Sequence, residues 1–396
     1  MNEFDGLLPM EMLGTGSLQD REKIAAKVRS AKRIVVKIGT SSLVKDDKTF
    51  DLETIKKLAF DIEALKKRNK QVLLVTSGAV TAGIEAMRIV ERPRDVVTLQ
   101  VLAAVGQPIL MSVYSRFFSE YKVAQILLTQ RDLSDRQSFN HFREALEKML
   151  SMDIIPIINE NDTVSVDELT HPEGLEFNFS DNDVLSALVA ASIRADLLVI
   201  LSDIEGLYDK NPSYDNARLI PFVRKITPEI RKVAKGTGKL GRGGMDSKIF
   251  AADIVTTAGG SVIIAHAKQN RLLDIIEKVD VGTLFQPQEE LPDKKLWMLF
   301  STITKGKVQV DDGAKDAILN GASLLFAGIV NIIGHFHKDD IVEVVDRKGE
   351  RFARGSVNYS SDELTRILKM PPDIRREYLR MGQFKDIISH YKMVVF

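Results

Sequence analysis

"RIVVKIGTSS", Arg33 to Ser42, runs three apolar residues into a lysine and then breaks into glycine and hydroxyls. A short apolar run bounded by such residues reads as a buried strand. Lys37 then lies near the strand's end, with Gly39 two residues later. Either the ammonium snorkels to water, or it is aimed at something anionic beyond the strand's carboxyl edge. These ten residues do not separate the two readings, and the choice passes to the rest of the chain.

Outward from this strand, short apolar runs alternate with helical spacing through roughly the first 285 residues. Strands are predicted over Arg33–Ile38, Val72–Thr76, Ala124–Thr129, Ile154–Asn159, Leu197–Ser202 and Ser261–Ala265. Helices are predicted over Leu52–Lys67, Val96–Tyr121, Arg136–Met152, Val184–Ala195 and Ser247–Ala258. This alternation implies an α/β fold, a mostly parallel sheet covered by helices on both faces. Ligands in such sheets bind outside the carboxyl ends of the strands. At "LFQPQEELPDKK" Pro287 and Pro292 bracket a charged stretch, and beyond it the texture changes to short β-like runs with turns. The expected division is a flexible arm over 1–30, an α/β domain over 31–287, a linker over 288–296, a small β-rich domain over 297–370 and a tail over 371–396.

Composition narrows the function classes. The chain has 396 residues, 44% hydrophobic and 28% charged, as soluble globular proteins do. Lys+Arg and Asp+Glu are both 55, so the whole chain offers no electrostatic footprint for nucleic acid or membrane. Residues 293–396 carry 17 basic against 14 acidic side chains, too mild an excess for an RNA-binding face. Without cysteine there are no disulfides, thiolate metal sites or cysteine nucleophile. No apolar run is expected to reach the ~18 residues that span a bilayer. The acidic start lacks the pattern of a signal segment, and cytoplasm is the expected location.

Each major strand ends in small or polar residues. "VTSGAVTAG" sets Ser77 and Gly78 directly before a helix, where an anion could meet backbone N–H groups; a serine cap with a glycine turn is, on this stretch alone, the commoner reading. "INENDTV" supplies Asn159, Glu160, Asn161 and Asp162, partners of both hydrogen-bond senses for an amino acid, or else an Asx-rich turn. "FSDNDVLSALVA" leads a helix with Asp181, Asn182 and Asp183, which are helix caps or site residues. Ser202 and Asp203 close the fifth strand in "LSDIEGLYDKNP". In "KGTGKLGRGGMDSK" five glycines accompany Lys239, Arg242 and Lys248, which suits a polyphosphate or a linker.

Two formal matches fail. Gly236 to Gly241 reads G-x-G-x-x-G but follows a helix-like stretch rather than a strand, and no G-x-x-x-x-G-K-[ST] occurs. The six histidines form no H-x-x-x-H pair, and no metal site built of protein side chains is expected.

Taken in order, "VKIGTSSLV", "VTSGAVTAG", "VLAAVGQP", "INENDTV", "SDNDVLSAL", "LLVILSDIEGLY" and "GRGGMDSK" resemble the amino acid kinase family, almost continuously over residues 32–287. Residues 297–366, with "GKVQVDDGAKDAILNGASLLFAGI" and "GERFARGSVNYSSDEL", resemble a PUA domain. The resemblance implies a three-layer αβα sandwich with a small PUA-like domain after it. Within the family it points to the branch that moves the γ-phosphoryl group of ATP, with Mg2+, to the side-chain carboxylate of L-glutamate, the first step toward proline. Lys37, Asp183 and Lys248 would then be catalytic, and Ser77, Asp162 and Asn182 would hold glutamate. Lys37, Ser202, Asp203, Arg242, Gly243, Gly244, Met245, Asp246, Ser247 and Lys248 would form the ATP site. Homo-oligomers (dimer or tetramer) and feedback inhibition by proline are also implied, whereas RNA binding by the PUA-like domain is not expected.

The phosphoryl chemistry fits the residues independently. A carboxylate acceptor is already ionised at neutral pH, so no general base is required, and positioning and charge neutralisation suffice. Three departures qualify the likeness: Arg242 where related sequences often have threonine, the altered loop "HPEGLEFNF" over 171–179, and poor matching over 1–30 and after Met370. The alternatives are a kinase for acetylglutamate, aspartate, carbamate or UMP, and an RNA-binding PUA protein on a degenerate kinase scaffold.

Overall fold

A computed structural model describes residues 17–45, 49–165, 182–235, 244–288, 304–371, 373–374 and 386–395. They form two compact units, the main part of the first lying before residue 289 and that of the second after residue 303.

The first unit is built on an eight-stranded sheet. Its strands are β1 (Arg33–Ile38), β2 (Gln71–Thr76), β3 (Val123–Leu128), β4 (Ile155–Glu160), β5 (Leu197–Ser202), β6 (Phe222–Val223), β7 (Ser261–His266) and β8 (Thr283–Phe285). The order is β3-β4-β2-β1-β5-β7-β8-β6, parallel throughout except for the antiparallel β7–β8 pair. Around it lie α1 (Leu18–Ser30), α2 (Thr40–Leu43), α3 (Leu52–Lys67), α4 (Ala79–Ala86), α5 (Val96–Phe117), α6 (Gln130–Ser134), α7 (Arg136–Ser151), α8 (Asn182–Ser192), α9 (Pro228–Lys235), α10 (Met245–Thr257) and α11 (Leu272–Lys278).

Register puts the strand ends in line. Lys37 of β1 pairs with Val75 of β2 on one side and Ile200 of β5 on the other, so the polar residues after each strand reach one edge together. Strand order also reverses about β1, which opens a crevice above that edge. Alternation sorts the faces. Ile34, Val36 and Ile38 join α1, α3, part of α5 and α11 in one core. Lys37, one residue out of step with them, is carried by the opposite face. There α8 is buried along its whole length and packs against β1, β2, β4 and β5. Apart from Asn182, Asp183 and two serines its residues are apolar on every side, as such an interior requires.

The crossing of α4 and α5 depends on two glycines. A Cβ on Gly83 would stand 2.0 Å from the Leu102 carbonyl oxygen, and one on Gly106 would stand 1.8 Å from that of Ala79. The two backbones therefore touch, which fixes the start of α4 against Gln107. By length and composition α5 does meet the test for a membrane span, with mean hydropathy 1.8, contrary to the expectation that no segment would. Here it lies within the first unit, with Leu99, Leu102, Leu110 and Tyr114 buried.

The arm expected over 1–30 is corrected from Ser17 onward. Ser17 and Asp20 form a capping box at the start of α1. Ile24, Ala25 and Val28, spaced to share a face, are buried in the core. Capping plus that apolar stripe outweighs the polar look of the segment.

The second unit is a five-stranded sheet of order β10-β9-β11-β12-β13, with β9 (Gly306–Val310), β10 (Ile329–Gly334), β11 (Ile341–Val345), β12 (Arg351–Ser356) and β13 (Met393–Val395). Helices Asp312–Leu319 and Ser361–Leu368 accompany it. The tail expected over 371–396 is likewise corrected in its last part. β13 pairs with β12, and Ile387, Ile388 and Met393 are buried in the second unit's core. Their apolar run supplies surface that the short strands alone lack.

Candidate active site

Three charges meet above the carboxyl end of β1. Lys37 Nζ lies 2.5 Å from Asp183 Oδ1, and Lys248 Nζ lies 2.9 Å from Asp183 Oδ2. Asp183 is wholly buried at the first turn of α8, while Lys37 and Lys248 are 5% and 8% exposed. Burial alone would push the Asp183 carboxyl up. Lys37 and then Lys248 outweigh it and hold the group down at about 2. Asp183 is thus an anion at any pH near neutral, and its two oxygens keep two ammonium groups side by side. Lys248 also donates to the Gly244 carbonyl at 2.8 Å, and the Ser247 hydroxyl donates to Asp183 Oδ2 at 3.0 Å. Gly39 leaves room here, since a Cβ on it would stand 3.3 Å from Lys37 Nζ. Lys37 therefore does not snorkel to water but is buried in an ion pair.

Beside this cluster is a cavity of about 130 Å³, lined by Ser77, Gly78, Asn159, Asp162, Asn182 and Arg92 among others. A single water needs only about 10–15 Å³ of such space, so it has room for a molecule of amino-acid size. Gly78, at φ 106°, turns the chain in the left-handed region so that α4 starts at the cavity wall. Asn182 Nδ2 donates to Ser77 Oγ at 2.7 Å and to Asn159 Oδ1 at 3.2 Å. Asn159 Nδ2 in turn donates to Gln107 Oε1 at 3.0 Å. All four side chains are buried.

The "INEND" run divides its labour. Asn159 and Asp162 reach the cavity. Glu160 accepts from the Ser165 hydroxyl at 2.6 Å, and the Asn161 carbonyl accepts from the amides of Val164 and Ser165. Turn hydrogen bonds thus fall to Asn161, and cavity lining to Asn159 and Asp162.

Of the positions expected around ATP, Ser202 is buried at the end of β5 and donates to Asp203 Oδ1 at 3.0 Å, leaving Asp203 exposed. Gly244 precedes α10, whose first residues are Met245, Asp246, Ser247 and Lys248. Arg242, Gly243, Asp181 and the 171–179 loop lie outside the described residues. Residue patterns alone missed Arg92, an exposed arginine in a loop without periodicity, and Gln107, whose only signal is a polar side chain on the apolar side of α5.

Two lysines on one buried aspartate, beside a small polar cavity at the reversal of a parallel sheet, can neutralise charge on a bound anionic group. The amino acid kinase family model matches residues 32–266, and the chain belongs to that family. A PUA domain model matches residues 306–376. Among curated proteins the chain is 43% identical over 371 residues to the glutamate 5-kinase of Dictyoglomus thermophilum, covering 92% of this chain and 97% of that one. It is 42% identical over 370 residues to that of Caldanaerobacter subterraneus subsp. tengcongensis, with coverage of 92% and 97%. To that of Syntrophus aciditrophicus it is 40% identical over 384 residues, with coverage of 95% and 97%.

Proposed function

We propose that this chain transfers the γ-phosphoryl group of ATP to the side-chain carboxylate of L-glutamate, giving L-glutamyl 5-phosphate and ADP, the first step of proline biosynthesis. The observation that carries the reading is the Lys37–Asp183–Lys248 cluster, one residue along the chain from Asn182, which lines the amino-acid-sized cavity. Likeness to glutamate 5-kinases over nearly the whole chain supports the same acceptor and weighs against acetylglutamate, aspartate, carbamate and UMP. It also weighs against a degenerate scaffold.

In this reading an oxygen of the glutamate side chain attacks the γ-phosphorus, and the bond to the β-phosphate oxygen breaks with its electron pair leaving on ADP. Charge builds on the equatorial phosphoryl oxygens and the leaving oxygen. Lys37 and Lys248 are the cations placed to neutralise it, and Asp183 fixes them before the reaction, so little reorganisation remains. Ser77, Asp162 and Asn182 hold the amino acid. Asp162 takes the α-ammonium, and the start of α4 with Ser77 offers donors to a carboxylate. Ser202, Asp203 and the run Arg242 to Lys248 serve the nucleotide. Mg2+ bound with the nucleotide would supply further neutralisation on its phosphates. Among the described residues no three metal-binding side chains converge, and Asp183 is engaged by two lysines.

The test is ADP release with glutamate compared with acetylglutamate, aspartate, carbamate and UMP, with hydroxylamine added to trap an acyl phosphate as its hydroxamate. Hydroxamate formed only with glutamate is expected. Turnover with another acceptor in preference to glutamate would refute the assignment.

A further inference from the structure

We infer that Gln107 is a positioning residue that sets the hydrogen-bond polarity of the amino-acid pocket; the inference rests on the glutamate reading of that pocket. The chain of amides runs in one direction. Asn182 Nδ2 donates to both Ser77 Oγ and Asn159 Oδ1, and Asn159 Nδ2 donates to Gln107 Oε1. With its nitrogen so engaged, Asn182 presents its oxygen elsewhere. That oxygen is buried and has no hydrogen-bond partner among the described residues. Asn182 lines the cavity, so the acceptor is left for a ligand's donor. Ser77, already accepting from Asn182, keeps its own proton for a ligand's acceptor.

The pocket thus offers acceptors at Asn182 and Asp162 and a donor at Ser77, the arrangement that an α-amino acid requires. An amide is nearly isosteric with itself turned over, so Asn159 and Asn182 could turn together and present the opposite polarity. Gln107 Oε1, at the inner end, is the acceptor that meets Asn159 in the observed sense, and a side chain there that can only accept would lock that sense. The Gln107 nitrogen is buried without a partner among the described residues, so only its oxygen acts in the chain. The touching backbones of α4 and α5 at Gly106 fix the backbone from which the Gln107 side chain extends.

The test is a set of substitutions at Gln107, assayed by steady-state kinetics with each substrate varied and by thermal melting. Gln107→Glu keeps an acceptor oxygen in either protonation state, so KM for glutamate should stay well below that of a variant without an acceptor. Gln107→Met fills the same space with no strong acceptor, and KM for glutamate should rise about tenfold or more with KM for ATP unchanged. Should the methionine variant not fold, Gln107→Lys, which offers only donors, should show the same selective loss. Equal behaviour of the glutamate and methionine variants, or a parallel rise in both KM values, overturns the inference. So does a folded Gln107→Glu protein that loses glutamate selectively. If wild type itself shows no glutamate-dependent turnover, the functional reading fails instead.

Discussion

Gly106 of α5 lies so close to Ala79 of α4 that a Cβ on Gly106 would stand 1.8 Å from the Ala79 carbonyl oxygen. A contact this short cannot be relieved by a side-chain rotation, because the neighbour is backbone. Gly106→Ala must separate the helices, disturbing both the start of α4 and the position of Gln107. It is expected to cost about 3 kcal/mol or more, as severe overpacking does, and to abolish glutamate binding. Gly313→Ala is the control. Its Cβ would meet only Asp311 Oδ1 at 3.6 Å, within a helix, and the change should be neutral or stabilise by up to about 1 kcal/mol. Paired melting curves decide the matter. Similar Tm values for the two variants would contradict the crossing geometry.

Lys37→Ala and Lys248→Ala should each reduce kcat more than they raise KM for glutamate. Each removes charge stabilisation concentrated in the transition state, worth roughly 3–4 kcal/mol or 10²–10³-fold. The two losses should not add, because both lysines depend on Asp183. Near wild-type turnover in either variant would remove that lysine from the mechanism.

Asp162→Asn should raise KM for glutamate strongly while leaving that for ATP nearly unchanged. Truncating one partner of a buried charge pair costs ~2–5 kcal/mol, because the other charge is left uncompensated. N-acetylglutamate deletes the same charge from the ligand side. Wild type should reject it, and the substitution should cost far less with that substrate than with glutamate. Simply additive losses would show that Asp162 does not meet the ammonium.

Asp183 makes the stability of the first unit acid-sensitive in a definite window. Its carboxyl is held at about 2, below the ordinary 3.8, so its stabilising contribution is whole above about 3.8 and disappears as pH falls toward 2. A shift of this size corresponds to on the order of 2 kcal/mol. Urea unfolding of wild type and Asp183→Asn should therefore differ most near neutral pH and converge between pH 4 and 2. A gap that stays constant across that range would mean that the lysines do not stabilise the ionised form.

Most of the first unit's architecture was legible in its residue pattern because long apolar strands and amphipathic helices write their own period. β1 and β5 match their predicted limits, and β2, β3, β4 and β7 lie within about one residue of theirs. β6 and β8, of two and three residues, are too short to carry a period and were missed. The N-terminal arm and C-terminal tail misled for a different reason: what orders α1 and β13 is burial against distant parts of the chain, which local composition does not report. In the site, the strand-end positions of Lys37, Ser77 and Ser202 followed from the fold. The joining of Asp183 to two lysines rested on family resemblance, since spacing does not say which strand-end groups touch. Gln107 lay within a quoted motif, yet its bond to Asn159 crosses between two elements with no local signature.

The charge cluster has a further consequence for how the protein is made. Lys37 comes from the first strand, Asp183 from the middle of the first unit and Lys248 from its last third. A chain emerging from the ribosome N-terminus first holds β1 long before either partner is available. Until α8 arrives, full burial of β1 would strand a bare ammonium in the interior, which disfavours early docking of the central strand. Closing such distant contacts comes late, after the entropy of the intervening loops has been overcome. Activity should therefore be among the last properties this unit acquires, and refolding followed by activity should lag behind refolding followed by helix content.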